Sequence, residues 1–193
     1  MSERPWQILI LCNDNAARSI LAEALMNALG GHRVRAVSAG YQPSGVINPY
    51  TLSLLEEQGI ESDHLQSKNW AEFATADAMP LDMIISLSEL PTQNTPSWPG
   101  QPIQTHWAIL DPIADATLSQ VRPEDIPKVF MQVYALLTER ILNFLSLSFE
   151  ELERGELQKH LDEIARVGAA AAIPDLLEMV GIDDDEDDEW LGS

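Results

Sequence analysis

Short apolar segments recur along the chain at intervals that leave room for helices between them. Each has five or six residues, is rich in Ile, Leu and Val, and is bounded by polar or turn-forming residues, as is typical of strands in a parallel sheet. These predicted strands occupy residues 7–12, 33–38, 83–87 and 103–107. The pattern therefore predicts four strands.

Between and after these strands, apolar residues fall at helical spacing. Gly30 and Gly31 end the first such segment, while Asn48 and Pro49 are residues that commonly begin a helix. The predicted helices occupy residues 19–29, 48–58, 69–73 and 123–147. Strands that alternate with helices predict an α/β fold, here a doubly wound, four-stranded parallel sheet with helices on both faces.

The composition narrows the class of protein. The chain has 193 residues and a net charge of -20, from 31 acidic and 11 basic side chains. This length is that of one domain with a real core, and the negative charge would repel nucleic acid and anionic membrane surfaces. No stretch of about 20 apolar residues is present, so no membrane span is predicted.

The negative charge is concentrated near the C-terminus. Residues 1–149 hold 16 acidic and 8 basic side chains, whereas residues 150–193 hold 15 and 3. We therefore predict one domain over residues 1–167 and a flexible, acidic appendage over residues 168–193. Neither the acidic run at 183–189 nor the histidines have the spacing of calcium or zinc ligands, so no metal site is predicted.

Cys12 is the only cysteine, and it ends the first predicted strand. A lone thiol excludes an internal disulfide and favours a reducing compartment, so we expect a cytoplasmic protein. The residues that follow read C-N-D-N-A-A-R-S, a loop between strand and helix whose backbone N–H groups can hold an anion. The predicted oxyanion-binding residues are Asn13, Asp14, Asn15, Ala16, Ala17, Arg18 and Ser19.

Arg18 and Ser19 add chemistry to this loop. The planar guanidinium of Arg18 can bind two oxygens of a tetrahedral oxyanion, and its positive field, with the Ser19 hydroxyl, is expected to lower the pKa of Cys12. The alternative is structural: Cys12 is a small buried apolar residue and Arg18 a surface residue of the helix.

Several motifs together resemble a known family. C-x5-R-S is followed by I-L-A-E-A-L, V-S-A-G, S-K-N-W-A-E-F, W-P-G and H-W-A-I-L-D-P. Over about residues 5–166 these resemble the low-molecular-weight protein tyrosine phosphatase superfamily, and within it the bacterial arsenate reductases. The resemblance implies an enzyme with a phosphate-binding loop after the first strand, in which Cys12 is the nucleophile, Arg18 the oxyanion clamp and Asp111 the general acid. It also implies that Asn15 and Ser19 organise the loop.

As an arsenate reductase, the protein would form a thiol-arsenate adduct at Cys12 and would need a second thiol. Many reductases of this type carry two further cysteines before W-P-G, where this chain has only hydroxyl side chains. Those positions are Ser86, Ser88, Thr92, Thr95 and Ser97. We therefore expect an external thiol such as glutathione or mycothiol, with a glutaredoxin-like or mycoredoxin-like partner and no bound cofactor.

Two other functions remain open. A phosphatase would pass through a cysteinyl-phosphate, with Asp111 protonating the leaving oxygen and then activating water. Ala17 and Ile113 depart from that branch, which commonly has a cysteine and a tyrosine there. The third function is that of a non-catalytic oxyanion-binding or interaction protein that works through its acidic tail.

Two further features bear on the loop. The carboxylate of Asp14 would disfavour a dianion unless its side chain points outward. Behind the loop, Glu23, Ser38 and Asp63, together with Asn15, resemble positions that hold a monovalent cation in some relatives. An ordinary hydrogen-bond network is the alternative.

Overall fold

The computed structural model describes residues 4–91, 95–114 and 121–168. Its four strands lie within two residues of the predicted bounds, and all neighbouring strands are parallel, in the order β2-β1-β3-β4. The strands are β1 Trp6–Cys12, β2 Val34–Gly40, β3 Met83–Ser86 and β4 Ile103–His106. The predicted fold class is confirmed.

The strand order places the first strand inside the sheet, with its last residues at the point where the winding reverses. The chain leaves β1 for β2 on one side, then returns past β1 to form β3 and β4 on the other. In open parallel sheets ligands bind at such a reversal, beyond the carboxyl ends of the strands. Cys12, the last residue of β1, lies there.

In the part of the chain that the structure describes, the helices follow the predicted segments, with one addition. They are α1 Arg18–Gly30, α2 Pro49–Glu57, α3 Ile126–Leu145 and α4 Arg154–Ala165, with 3-10 turns at Trp70–Phe73 and Pro123–Asp125. Asn48 caps α2, since its side chain accepts a hydrogen bond from the Tyr50 N–H. The sequence did not predict α4, because its buried residues are few and stand among charged ones.

The sheet separates two apolar clusters. Ile8, Ile10 and Cys12 face the larger cluster, to which all four α-helices contribute. Leu9 and Leu11, on the other face, pack with Trp70 of the first 3-10 turn and with Trp98. Helical structure thus covers both faces, and Cys12 lies on the face covered by the α-helices.

Two further predictions concern a membrane span and the C-terminal appendage. No helix in the described ranges is long and apolar enough to cross a membrane. The predicted appendage, residues 168–193, lies outside the described residues except for Gly168, and so does Thr92.

Candidate active site

Hydrogen bonds to the outward-facing carbonyl groups fix the loop between β1 and α1. Four of its carbonyl oxygens accept hydrogen bonds from N–H groups of the segment after β2. The pairs are Tyr41 to Cys12 at 3.2 Å, Gln42 to Asn13 at 2.8 Å, Ser44 to Asp14 at 2.8 Å and Asn48 to Ala16 at 3.0 Å. Because the C=O and N–H of a trans peptide point in opposite directions, the N–H groups of residues 13, 14, 15 and 17 face the inside of the loop. The loop therefore forms an amide-lined cradle of the kind that can hold an anion.

Asn15 fixes the shape of this cradle. It is fully buried and adopts a left-handed conformation, with φ of 48°, which asparagine tolerates better than most residues. Its side-chain Nδ2 donates to Ser19 Oγ and to Ser38 Oγ, each at 2.8 Å, and its Oδ1 accepts the N–H of Lys68 at 2.6 Å. Asn15 therefore ties the loop to α1, β2 and the segment before the first 3-10 turn.

A charged pair lies behind Asn15. Glu23 Oε2 accepts hydrogen bonds from the N–H and the hydroxyl of Ser38, and Lys68 Nζ approaches it at 3.4 Å. Asp63, the other position of the possible cation site, is exposed at the surface. Glu23, Ser38 and Asn15 thus belong to an ordinary hydrogen-bond network, in which Lys68 supplies the positive charge.

Three groups surround the sulfur of Cys12. Ser19 Oγ lies 2.8 Å from Sγ, the Asn15 N–H donates to Sγ at 3.2 Å, and the thiol donates to Asp14 Oδ1 at 3.5 Å. Burial raises the pKa of Cys12, and the charge of Asp14 raises it further, while Ser19, Arg18 and Asn15 act in the opposite direction. The expected lowering of the Cys12 pKa is therefore wrong, because desolvation outweighs the positive field.

Arg18 and Asp111 meet beside the loop. The Arg18 side chain is 6% exposed; its Nη2 lies 2.6 Å from Asp111 Oδ2 and its Nη1 donates to the Ile109 carbonyl at 3.1 Å. Its buried Nε has no partner. Asp111 Oδ1 accepts the N–H groups of Ile113 and Ala114, so this carboxylate is oriented from both sides. The alternative that Arg18 is a surface residue is wrong.

The structure thus brings together all the predicted loop residues and Asp111. Sequence reasoning missed two participants, Lys68 and the carbonyl of Ile109. Lys68 lies in the S-K-N-W motif, which is the one signal that was available for it, whereas a backbone carbonyl leaves no mark in a sequence. In the described ranges no group of three or more His, Cys, Asp or Glu side chains is placed to hold a metal ion.

A parallel sheet whose first strand ends in a thiol, at the base of an amide-lined loop with a buried arginine, defines a cysteine-dependent phosphatase-type fold. The comparison with known families agrees, since residues 7–159 match the low molecular weight phosphotyrosine protein phosphatase family. The chain belongs to this family.

Several proteins to which the chain is similar are named arsenate reductases. The chain is 26% identical to a glutaredoxin arsenate reductase of Synechocystis over 140 residues, which is 72% of this chain and 96% of that protein. It is 26% identical to arsenate reductase 1 of Staphylococcus epidermidis, over 66% of this chain and 94% of the relative. A solved arsenate reductase in its phosphate-binding state matches with a TM-score of 0.57 and 26% identity, over 73% of this chain and 97% of that one.

Proposed function

We propose that the protein is an arsenate reductase that takes its reducing equivalents from an external thiol. The observation that carries this proposal is the position of Cys12 Sγ, which lies at the base of the amide cradle with Arg18 beside the loop. A tetrahedral oxyanion bound to the inward N–H groups would place its central atom in reach of the sulfur. The named relatives support arsenate as that oxyanion.

The reaction begins with attack of the Cys12 sulfur on arsenic. An S–As bond forms, one As–O bond breaks, and the departing oxygen leaves as water after protonation, for which Asp111 is placed. An external thiol then attacks the Cys12 sulfur, so that the S–As electron pair stays on arsenic and arsenite leaves. Cys12 is left in a mixed disulfide, which a further thiol reduces.

The external thiol is required because the chain has one cysteine. Ser86, in the stretch where many reductases have further thiols, has its Oγ 2.8 Å from His106 Nδ1, and Ser88 is buried. Neither side chain can form a disulfide. The dependence of one relative on glutaredoxin, given in its name, supports glutathione with a glutaredoxin-like protein as the donor. A lone working thiol also supports a cytoplasmic location, where it is kept reduced.

The test is arsenite formation from arsenate with three donors, each supplied separately. They are glutathione with glutaredoxin, mycothiol with mycoredoxin, and thioredoxin alone. We expect turnover with one of the first two, none with thioredoxin alone, and none for Cys12→Ser with any donor. Absence of arsenite with every donor would contradict the proposal.

A phosphatase is the second candidate function, favoured by the place of Asp111. Its carboxylate lies beside the cradle, 2.6 Å from Arg18, where it can protonate a leaving oxygen and then activate water. Hydrolysis of 4-nitrophenyl phosphate and of an alkyl phosphate tests this candidate. We expect Asp111→Asn to slow the release of the alkyl alcohol far more than that of 4-nitrophenol, which leaves without a proton; equal effects on the two esters would contradict the role given to Asp111.

A further inference from the structure

Asp14 places a carboxylate against the reacting sulfur. It stands two residues after Cys12, is half-buried, and directs its Oδ1 toward Sγ, at 3.5 Å, rather than outward. No other carboxylate of the described residues has a hydrogen bond to that sulfur. An acid at this position therefore acts directly on the protonation state of the nucleophile.

The hydrogen bonds around the sulfur are those of a thiol. Asn15 Nδ2 donates to Ser19 Oγ, so the Ser19 hydroxyl can donate its own hydrogen to Sγ, beside the Asn15 N–H. Two donors thus supply the sulfur, and the remaining contact, with Asp14, needs a hydrogen on the sulfur itself. A thiolate facing this carboxylate would instead be repelled by it.

The charges on neighbouring elements do not cancel this effect. Arg18, at the start of α1, favours the thiolate, but its guanidinium is paired with Asp111 at 2.6 Å and is bonded to the Ile109 carbonyl. Behind the loop, Glu23 and Lys68 form a pair of opposite charge. Among the described hydrogen bonds and ion pairs, none joins Asp14 to a cation. Asp14 therefore keeps an unneutralised negative charge in contact with the thiol.

We propose that Asp14 is a catalytic residue that holds Cys12 as a thiol in the free protein and accepts its proton when the sulfur attacks the oxyanion. This inference rests on the proposed attack by Cys12. In that step the S–H bond breaks and its proton passes to Asp14, while the sulfur electron pair forms the S–As bond. The departing oxygen takes a separate proton, from Asp111 in its protonated form, and leaves as water. Asp14 is then a neutral acid that no longer repels the bound anion and can donate to it.

Such an arrangement suits a chain with one cysteine. The thiolate is the form that peroxide oxidises and that alkylating reagents attack. With no second thiol in the chain to trap a sulfenic acid as an internal disulfide, only external thiols could rescue an oxidised Cys12, in competition with further oxidation to irreversible forms. A nucleophile that stays protonated until the substrate is bound avoids that loss.

The first test titrates the thiol without any substrate. The rate of iodoacetamide alkylation of the full-length chain is measured from pH 5 to 10, and because the chain has one cysteine, this rate reports Cys12 alone. We expect Asp14→Asn to lower the pH midpoint by about one unit and to raise the rate at pH 7 about tenfold. Asp77→Asn, the same change at an exposed position, should leave the curve in place. Identical curves for wild type and Asp14→Asn would overturn the proposal.

The second test follows proton transfer during attack. Single-turnover arsenite formation, at saturating external thiol and redoxin, is compared with alkylation at each pH. In Asp14→Asn the two rates should fall together as the pH drops, because both need a thiolate formed by solvent. In the wild type the turnover should fall less steeply than alkylation, because Asp14 accepts the proton. Parallel loss of both rates in the wild type would refute the proton transfer.

The two tests separate this inference from the proposed function. If neither the wild type nor any variant makes arsenite but the alkylation midpoint still shifts in Asp14→Asn, the reductase proposal fails, while the proposal that Asp14 keeps Cys12 protonated stands. The burst of 4-nitrophenol from 4-nitrophenyl phosphate then decides whether Asp14 accepts the proton. If arsenite forms but the midpoint does not move, the reductase proposal stands and Asp14 is not the group that protonates Cys12.

Discussion

The Arg18 guanidinium already makes hydrogen bonds within the protein before any oxyanion binds. Its Nη2 is paired with Asp111 and its Nη1 with the Ile109 carbonyl, while the buried Nε has no partner. An unpaired buried N–H is costly, and a bound oxyanion would satisfy it. The guanidinium therefore keeps its Nε–H without a partner for substrate, while Nη1 and Nη2 each already make one hydrogen bond.

Replacing Arg18 by lysine tests the value of the planar fork. Lysine keeps the positive charge but cannot hold an oxyanion, Asp111 and the Ile109 carbonyl in one plane. We expect Arg18→Lys to lower kcat/KM for arsenate by about 100-fold, the usual loss for a donor that stabilises developing charge. Arg35→Lys, at an exposed position of β2, is the control. A loss below about threefold would contradict the clamp role.

Asn15 combines a rare backbone conformation with three side-chain hydrogen bonds. Asn15→Ala would remove one hydrogen bond from Ser19 Oγ, one from Ser38 Oγ and the acceptor of the Lys68 N–H, all in buried or half-buried surroundings. We expect the free energy of unfolding to fall by about 2–4 kcal/mol, measured by urea denaturation. Asn143→Ala, on the exposed side of α3, should change it by less than about 0.5 kcal/mol. Similar values for both variants would show that Asn15 does not hold the loop.

At the scale of elements, the end of β2 passes very close to the loop. A Cβ added at Gly40 would lie 2.8 Å from the Asn13 carbonyl oxygen and 3.1 Å from the Asn15 nitrogen, both backbone atoms that cannot rotate away. Because Gly40 has no side chain, the end of β2 can pack directly against the backbone of the loop.

We expect Gly40→Ala to displace the loop, to lower the free energy of unfolding by about 1–3 kcal/mol and to reduce arsenate turnover more than tenfold. Gly155→Ala is the matched control, because its Cβ would meet nothing within 4 Å in the first turn of α4. That variant should be neutral or more stable by up to about 1 kcal/mol. Normal turnover in Gly40→Ala would contradict the close fit.

At the scale of the whole molecule, Arg33 joins the edge of the sheet to the end of α3. Its guanidinium bonds both carboxylate oxygens of Glu150, at 2.7 and 2.8 Å, and the carbonyls of Leu145 and Leu147. It also lies over the ring of Phe149, 4.2 Å from the centroid. One side chain thus connects strand, helix and core.

The ion pair between Arg33 and Glu150 makes the free energy of unfolding depend on pH. Arg33 lowers the pKa of Glu150 below its unfolded value, near 4.3, so the pair stabilises the fold above that pH and the contribution is lost as the pH falls through and below it. We expect Glu150→Gln to be less stable than the wild type at pH 7 and to lose less stability between pH 6 and 3, by urea denaturation. Glu151→Gln, exposed, is the control. An acid decline in Glu150→Gln as steep as that of the wild type would contradict this assignment.

The sequence by itself determined much of this protein. In the described ranges, apolar periodicity predicted all four strands and three of the four α-helices within a few residues, because each depends on neighbours close in the chain. The C-x5-R-S motif located the loop, since nucleophile, amides and arginine belong to one continuous segment. A single cysteine sufficed to exclude an internal disulfide relay. That residues 168–193 form a flexible, acidic appendage stays a prediction.

Only the tertiary structure decided what acts across the chain. It turned Asp14 toward the thiol, brought Lys68 to Glu23, and joined Asp111 to Arg18 across 93 positions. It also reversed the expected direction of the Cys12 pKa, because the desolvation that raises it comes from distant segments that bury the sulfur. A local pattern records which groups are present, but burial and charge at one atom are sums over all the elements that pack around it.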